Sequence, residues 1–317
     1  MDPQASDPNR LGYSLANVAE ILFGCLDAAG ARSVLEIGAY RGELTGELLE
    51  WAAGSGARIA AVEPEPPEQL LELAAAHPEL ELVRETSHDA LRNRPLPDAV
   101  VIDGDHNYFT LGEELRLIAE GAEGGLIPLV LFHDLGWPHA RRDTYYEPQR
   151  IPEEHRQPLV HNAGLAPWEP GITAHGLPYV WAAAREGGER NGTLTAVEDF
   201  LSTRQGLRLA VVPAFFGFGA LWPTEASWAG EVARVVEPLD RHPVLERLEA
   251  NRVANLAAAY ISSRELAEER QRRAGLEELL YAIEGSSAFT LAERLARLRS
   301  RGKPTYSREQ IRKALGK

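Results

Sequence analysis

The sequence predicts an α/β protein: an open, mostly parallel sheet with helices on both faces, ended by an antiparallel strand pair and followed by C-terminal helices. Three observations carry this expectation. Short apolar runs of strand character alternate with helical periods from about residue 15 to residue 135. Two apolar runs, Leu207 to Pro213 and Phe215 to Trp222, then follow each other closely enough to pair. After Pro243 the leucines fall near helical spacing.

Each element has its own signal. Ser14 is placed to cap a helix over residues 15–30, with Leu15, Val18, Ile21 and Leu22 on one face and Gly30 ending it. Ser33 to Ile37 reads as a strand, and Leu44 to Ala53 as a helix closed by Gly54. Arg58 to Val62, Leu80 to Arg84, Ala99 to Ile102 and Leu126 to Phe132 read as further strands. Between them lie helices over Pro67 to Ala76 and Leu111 to Gly121. Residues 136–190 lose periodicity in a mixture of Pro, His, Trp and Arg, the mark of an irregular insertion or lid. A helix returns at Thr195 to Ser202. The expected organisation is a domain over residues 1–235 containing that insertion, and a helical extension over 236–317.

Composition narrows the class of function. A formal net charge of −14 over 317 residues argues against a nonspecific grip on nucleic acid or anionic membrane. Cys25 is the only cysteine, so the chain makes no internal disulfide and no cysteine metal cage. Met1 to Arg10 is polar and acidic, unlike a signal peptide, and the longest apolar stretch, Ala210 to Trp222, holds Pro213 and is too short to span a bilayer. These readings predict a cytoplasmic protein.

The chemistry concentrates where strands end. Val34-Leu35-Glu36-Ile37-Gly38-Ala39-Tyr40-Arg41-Gly42 is a buried strand running into a glycine-bearing turn and a helix, where ligands of open α/β sheets bind. Glu63 ends the next strand, placed to accept from both ribose hydroxyls of a nucleotide cofactor. A dinucleotide turn carries a glycine where this chain has Tyr40, which makes a dehydrogenase the weaker reading. Later strands end in Glu85-Thr86-Ser87-His88-Asp89, Asp103-Gly104-Asp105-His106 and His133-Asp134. Burying such groups gains nothing for packing and costs roughly 2–7 kcal/mol for each one left unpaired.

The glycine turn resembles the cofactor motif of the catechol O-methyltransferase group of class I S-adenosylmethionine (SAM)-dependent methyltransferases. Asp103-Gly104-Asp105-His106 and Phe132-His133-Asp134 resemble bacterial O-methyltransferases of sugar and natural-product tailoring. The likeness covers roughly residues 15–135 and more loosely the strands to 222. It implies a Rossmann-like domain in which Glu36, Gly38, Ala39, Tyr40 and Gly42 surround the methionine part of SAM. Glu63 would then hold the ribose, Ser87 and His88 edge the adenine, and Asp103 border both cofactor and metal. It also implies a divalent ion, magnesium or manganese, on Asp103, His133 and Asp134. His133 stands where the family has an acid, a departure that points toward manganese, iron or zinc, or toward Asp134 as ligand with His133 facing the substrate. His106, with Asp105 beside it, is the expected catalytic base for an acceptor hydroxyl.

Trp137, His139, Arg141, Arg142, Tyr145, Tyr146, His161, Trp168, His175 and Trp181 are the insertion's candidates for substrate contact, equally suited to a structured insertion packed on the sheet. The functional expectation is an O-methyltransferase acting on a hydroxyl of a sugar, glycoconjugate or natural product. The rival readings are an N-methyltransferase or hydroxylase-like relative, and a non-catalytic SAM-binding or interaction subunit of a glycan-assembly system. The partners expected are a small-molecule or glycan acceptor and a second copy of the chain, paired through the C-terminal helices. Ser286-Ser287-Ala288-Phe289 and the Arg-rich helix after it are similar to tails of bacterial glycan-assembly proteins.

Overall fold

The computed structural model describes residues 14–122, 125–299 and 307–315; Met1 to Arg10, read above for signal-peptide character, lie outside them. Seven strands form the main sheet: β1 (Ser33–Ile37), β2 (Arg58–Val62), β3 (Leu80–Val83), β4 (Ala99–Ile102), β5 (Leu129–Phe132), β10 (Leu207–Val212) and β11 (Phe218–Pro223). Their order is β3-β2-β1-β4-β5-β11-β10, with β11 antiparallel to both β5 and β10 and the other neighbours parallel. The fold class expected from the sequence is the one observed. The order reverses between β1 and β4, and an α/β sheet opens its ligand crevice at such a switch point.

Both faces of the sheet are covered, so its strands are apolar at successive positions instead of alternating. Within β5, Leu129 and Leu131 face one core with Leu22, Leu26, Leu48, Trp222 and Val232. Val130 and Phe132 face the other, with Leu115, Ile118, Val197 and Leu221. The covering helices are α1 (Ala19–Ala29), α2 (Glu43–Ser55), α3 (Glu68–Ala76), α4 (Ser87–Asn93), α5 (Tyr108–Gly121), α6 (Thr193–Ser202) and α7 (Ala229–Val236). Ser14 caps a short 3₁₀ turn that leads into α1, and Gly30 ends that helix at φ 64°. Helix α2 runs past Gly54 and ends at Gly56 instead, whose φ of 73° lets its N–H reach the carbonyl of Ala52 at 2.7 Å. Helix α4 carried no periodic signal; Thr86 nucleates it by accepting from the Asp89 N–H at 3.2 Å.

The stretch expected to be irregular forms a second, antiparallel sheet: β6 (Thr144–Tyr145), β7 (Leu159–Ala166), β8 (Glu169–Thr173) and β9 (Leu177–Ala183), in the order β6-β9-β7-β8. Its strands mix His, Asn, Gly, Pro and aromatics, and a bulge interrupts β7 against β8, so no period-two pattern survives in the sequence.

The C-terminal helices are α8 (Pro243–Gly285), α9 (Ser287–Arg299) and α10 (Arg308–Ala314). The chain divides into two compact units between Ala257 and Ala258, inside α8. Within the second unit Arg312 pairs with Glu284 at 2.6 Å, and Arg308 donates to the Ser286 carbonyl at 3.1 Å. No helix among the described residues is long and apolar enough to cross a membrane.

Glycine turns set the spacing of the strand ends. A Cβ on Gly38, which has φ +87°, would lie 2.1 Å from the Asp103 carbonyl oxygen, whereas one on Gly30 would meet nothing within 4 Å. Gly38→Ala should therefore cost more than about 2 kcal/mol in denaturant unfolding, and Gly30→Ala only about 1 kcal/mol for its left-handed φ. Equal losses in the two variants would show that contact with β4 does not constrain the turn.

Candidate active site

The first wall of the site is the turn after β1. Gly38 hydrogen-bonds through its N–H to the Val62 carbonyl at 3.0 Å, fastening the turn to β2. Tyr40 sits at φ 45° with its ring exposed, and its backbone N–H donates to Glu63 Oε2 at 3.1 Å. Glu63 thus stands on the rim beside the turn. Gly42, at φ 85°, opens helix α2, and Ala39 is buried beneath the loop. Glu36 is 2% exposed and accepts from Thr45 Oγ1 at 2.6 Å, so it braces the turn from below. Burial pushes its carboxyl up to about 8, against the opposing pull of the Thr45 bond. Ser87 opens α4 beside buried Glu114 of α5, and His88 Nε2 donates to the Thr110 carbonyl at 3.1 Å, tying α4 to α5.

The second wall is a buried cluster at the ends of β4 and β5. His133 Nε2 donates to the Phe215 carbonyl at 2.8 Å, and its Nδ1 lies 3.0 Å from Asp103 Oδ1 and 3.3 Å from Asp134 Oδ2. Both ring nitrogens face acceptors, so both carry protons and the ring is a cation. Burial opposes that charge, yet Asp134 and Asp103 hold it well above the usual histidine range. His106 Nε2 lies 2.9 Å from Asp134 Oδ2 and 3.6 Å from Asp103 Oδ1. Burial again opposes its charge, and the two carboxylates push it up to about 10. Desolvation disfavours the anion of Asp134, but the cations of His133 and His106 hold it well below the ordinary range. His139, whose ring centroid is 4.4 Å from that of His106, is driven down to about 3 by burial. Two anions and two cations balance, with His139 neutral beside them.

The second sheet roofs this cluster. A cavity of about 370 Å³ is lined by His106, Asp134, His139, Thr144, Tyr145, Tyr146, Tyr179, Trp181 and Phe216 among others, and by no Lys or Arg among the described residues. Asp105 Oδ1 accepts from the Tyr146 N–H at 3.1 Å, fastening the roof to the loop after β4, and its Oδ2 accepts from Asn107 Nδ2 at 2.7 Å within that loop. Asp143 accepts from the Tyr108 and Gly192 N–H groups at 2.8 and 2.6 Å and from the Tyr145 hydroxyl at 2.9 Å. Of the insertion candidates, His139, Tyr145, Tyr146 and Trp181 line the cavity. Arg142 is a buried strut donating to the carbonyls of Ala183 and Pro170, and Arg141 pairs with Glu198.

The turn between β10 and β11 completes the cluster. Phe215 and Phe216 have φ of 48° and 68°, unusual for bulky residues. Their N–H groups donate to Glu249 of α8 at 3.1 and 2.8 Å, and Arg252 grips Glu249 at 2.7 Å while lying over both rings. The clamp aims the Phe215 carbonyl at His133. Glu249 lies far along the chain in a helix whose pattern signals packing alone, so it escapes notice in the sequence.

The structure thus gathers Asp103, His106, His133 and Asp134 in one cluster and leaves Asp105 as a brace beside it. Asp103, His133 and Asp134 bring potential ligand atoms within 4.8 Å of one another. His133 stands between the two carboxylates, its Nδ1 toward Asp103 and Asp134 and its Nε2 on the Phe215 carbonyl.

No family model and no curated protein matches the chain. Similar solved structures include an S-adenosylhomocysteine-bound methyltransferase of Podospora anserina, 14% identical with a TM-score of 0.42, covering 69% of this chain and 83% of that one. Another is the SAM-bound O-methyltransferase of tomaymycin synthesis from Streptomyces achromogenes, at 16% and 0.40, covering 70% and 85%. Human N-acetylserotonin methyltransferase with SAM is similar at 15% and 0.37, covering 65% and 51%.

The charge pattern fixes how stability varies with pH. His106 stabilises the fold fully below its unfolded value of 6.5, and that contribution is lost as pH rises to about 10. Glu36 and Glu114, raised to about 8 by burial, lose stability in the same direction as pH rises from 4.5. Asp103 and Asp134, held low, lose theirs on acidification below 3.8. The melting temperature of chelator-treated protein should peak in the weakly acidic range and fall steadily toward pH 10. A rise between pH 7 and pH 10 would contradict this ordering of charges.

The Glu249 clamp is tested in the same way. Glu249→Ala leaves two strained N–H groups unpaired and should destabilise the fold by about 1–3 kcal/mol. Arg264→Ala, which removes an exposed pair with Glu268 on the same helix, should change stability by less than about 0.5 kcal/mol. Similar small losses from both variants would leave the turn without its clamp.

Proposed function

We propose that the chain is a SAM-dependent O-methyltransferase that methylates a hydroxyl of a neutral ring compound, a sugar, glycoconjugate or natural product. One observation carries the reading. The glycine turn and the histidine–aspartate cluster share one sheet edge, in backbone contact at Gly38 and Asp103. A nucleotide cofactor on the turn would present its methyl group to whatever occupies the adjoining cavity. Glu63 on the rim supports ribose binding, and Tyr40 in place of a dinucleotide glycine supports SAM over a nicotinamide cofactor.

The reaction needs an oxygen aligned behind the sulfonium methyl carbon. The oxygen–carbon bond forms as the carbon–sulfur bond breaks, S-adenosylhomocysteine leaves, and the hydroxyl proton passes to a base. His106 fits that task, because its Nε2 lies 2.9 Å from Asp134 Oδ2, and that carboxylate stabilises the cation that results. Aromatic walls and the absence of Lys or Arg favour an uncharged, hydroxylated ring as acceptor. Asp105 fits a positioning role, since it holds the roof over His106. In the second unit, Leu276, Leu279, Leu291, Leu295 and Leu298 are exposed on the C-terminal helices, which supports pairing with a second copy.

Calorimetric titration should give one SAM per chain, and Glu63→Ala should weaken binding roughly 10-fold or more through loss of charge-assisted bonds. His106→Ala should keep SAM affinity while turnover falls by a factor on the order of 10²–10⁴. In chelator-treated enzyme, turnover should climb from pH 7 toward pH 10 as His106 loses its proton. Tighter binding of NAD than of SAM would overturn the proposal.

A further inference from the structure

We propose that His106, Asp134 and His139 form a binding site for a divalent transition-metal ion of the zinc, cobalt, manganese or iron class. The family resemblance implies an oxygen-rich magnesium site on Asp103 and its neighbours, and the residues present do not fit one. His133 commits Nδ1 to Asp103 and Nε2 to the Phe215 carbonyl, so the set it shares with Asp103 and Asp134 lacks a third free donor.

The trio facing the cavity has what that set lacks. His106 Nε2 is buried 2.9 Å from Asp134 Oδ2 but makes no hydrogen bond to any described residue. His139 Nε2 approaches the other oxygen, Oδ1, at 3.8 Å, too far for a hydrogen bond. Two imidazole nitrogens therefore converge on one carboxylate without bonding to it, and one ligand atom from each residue lies within 4.8 Å of the others.

The surroundings hold that geometry. His139 Nδ1 lies 3.0 Å from Thr144 Oγ1, a contact on the far side of the ring of the kind that orients metal-binding histidines. Thr193 Oγ1 reaches the carbonyls of Asp134 at 2.6 Å and His139 at 3.1 Å, fixing the spacing of two of the donors. All three residues line the cavity, so positions beyond the three protein ligands open toward the acceptor. Two nitrogens and one carboxylate select a transition metal over magnesium, which prefers oxygen. Bound there, an ion supplies Lewis acidity to a hydroxyl entering the cavity, and His106 acts as a ligand, its role as base belonging to the metal-free chain.

The inference rests on the donor geometry and deepens the methyltransferase reading of the same cavity. Full-length chelator-treated protein is titrated with Co²⁺, followed by visible absorption, and with Zn²⁺ and Mg²⁺ by calorimetry. SAM is titrated in the same samples to report on the fold and, separately, on the cofactor reading. One Co²⁺ should bind with the absorption of nitrogen ligation, and Mg²⁺ at least 100-fold more weakly than Zn²⁺. His139→Ala and His139→Gln should each weaken Zn²⁺ and Co²⁺ by roughly 10–100-fold or more with SAM affinity kept, whereas Asp103→Asn should stay within about threefold. Loss of the ion in Asp103→Asn but not in the His139 variants would overturn the proposal, as would failure of the wild-type protein to bind any of these ions. Normal ion binding with no SAM binding would keep this site and remove the methyltransferase reading alone.

Discussion

Two carboxylates at the ends of adjacent parallel strands, Asp134 buried and Asp103 half-buried, set the conditions for everything around them. Unpaired in an apolar sheet edge, either would cost several kcal/mol and take up a proton instead. His133 resolves this by charging fully, because a carbonyl on one side and a carboxylate on the other leave it no neutral tautomer. His106 supplies the second positive charge. A compact group without net charge is affordable to bury, and it fixes the positions of four side chains without help from solvent.

That arrangement reaches well beyond β4 and β5. The Phe215 carbonyl that completes His133 belongs to a turn in which two successive phenylalanines have positive φ, a conformation that phenylalanine holds only under external constraint. Glu249 supplies the constraint through two backbone N–H groups, and Arg252 neutralises it. The antiparallel end of the sheet is thus part of the site's electrostatics. On the other side, Asp105 and Asp143 spend their lone pairs on backbone N–H groups and neighbouring side chains that bind the second sheet to the first. The roof's precision comes from buried polar bonds, since its own apolar core is small.

This division explains what could be read from the sequence. The strands β1, β2 and β4 were legible to the residue, because buried parallel strands are short apolar runs cut off by glycine or acid. Asp103, His106 and Asp134 stood out as polar residues at strand ends, where packing has no use for them. The second sheet was illegible: its strands hold polar, small and aromatic residues in no period, and β7 is bulged. The partnership of His139 with His106 was equally hidden, since it depends on how the chain folds back after Asp134. From its place beside Asp134 the sequence marks His133 as a ligand or a substrate contact, while the direction of its two nitrogens, each toward an acceptor, is visible only in the structure.

The balance of charges also explains why the histidines divide their roles. His133 is enclosed on both nitrogens, and Asp134 and Asp103 hold it well above the usual histidine range against the pull of burial. His139 has no carboxylate within hydrogen-bond distance and is too deeply buried to charge on its own, so it keeps a neutral ring at the cavity wall. His106 lies between these extremes: one nitrogen sits against Asp134 while the ring borders the space where an acceptor would lie. It is the one member of the cluster that can change its proton or exchange it for an ion without dismantling the clamp. His106 and Asp134 therefore face the cavity from a frame that His133, the Phe215 turn and Glu249 hold still.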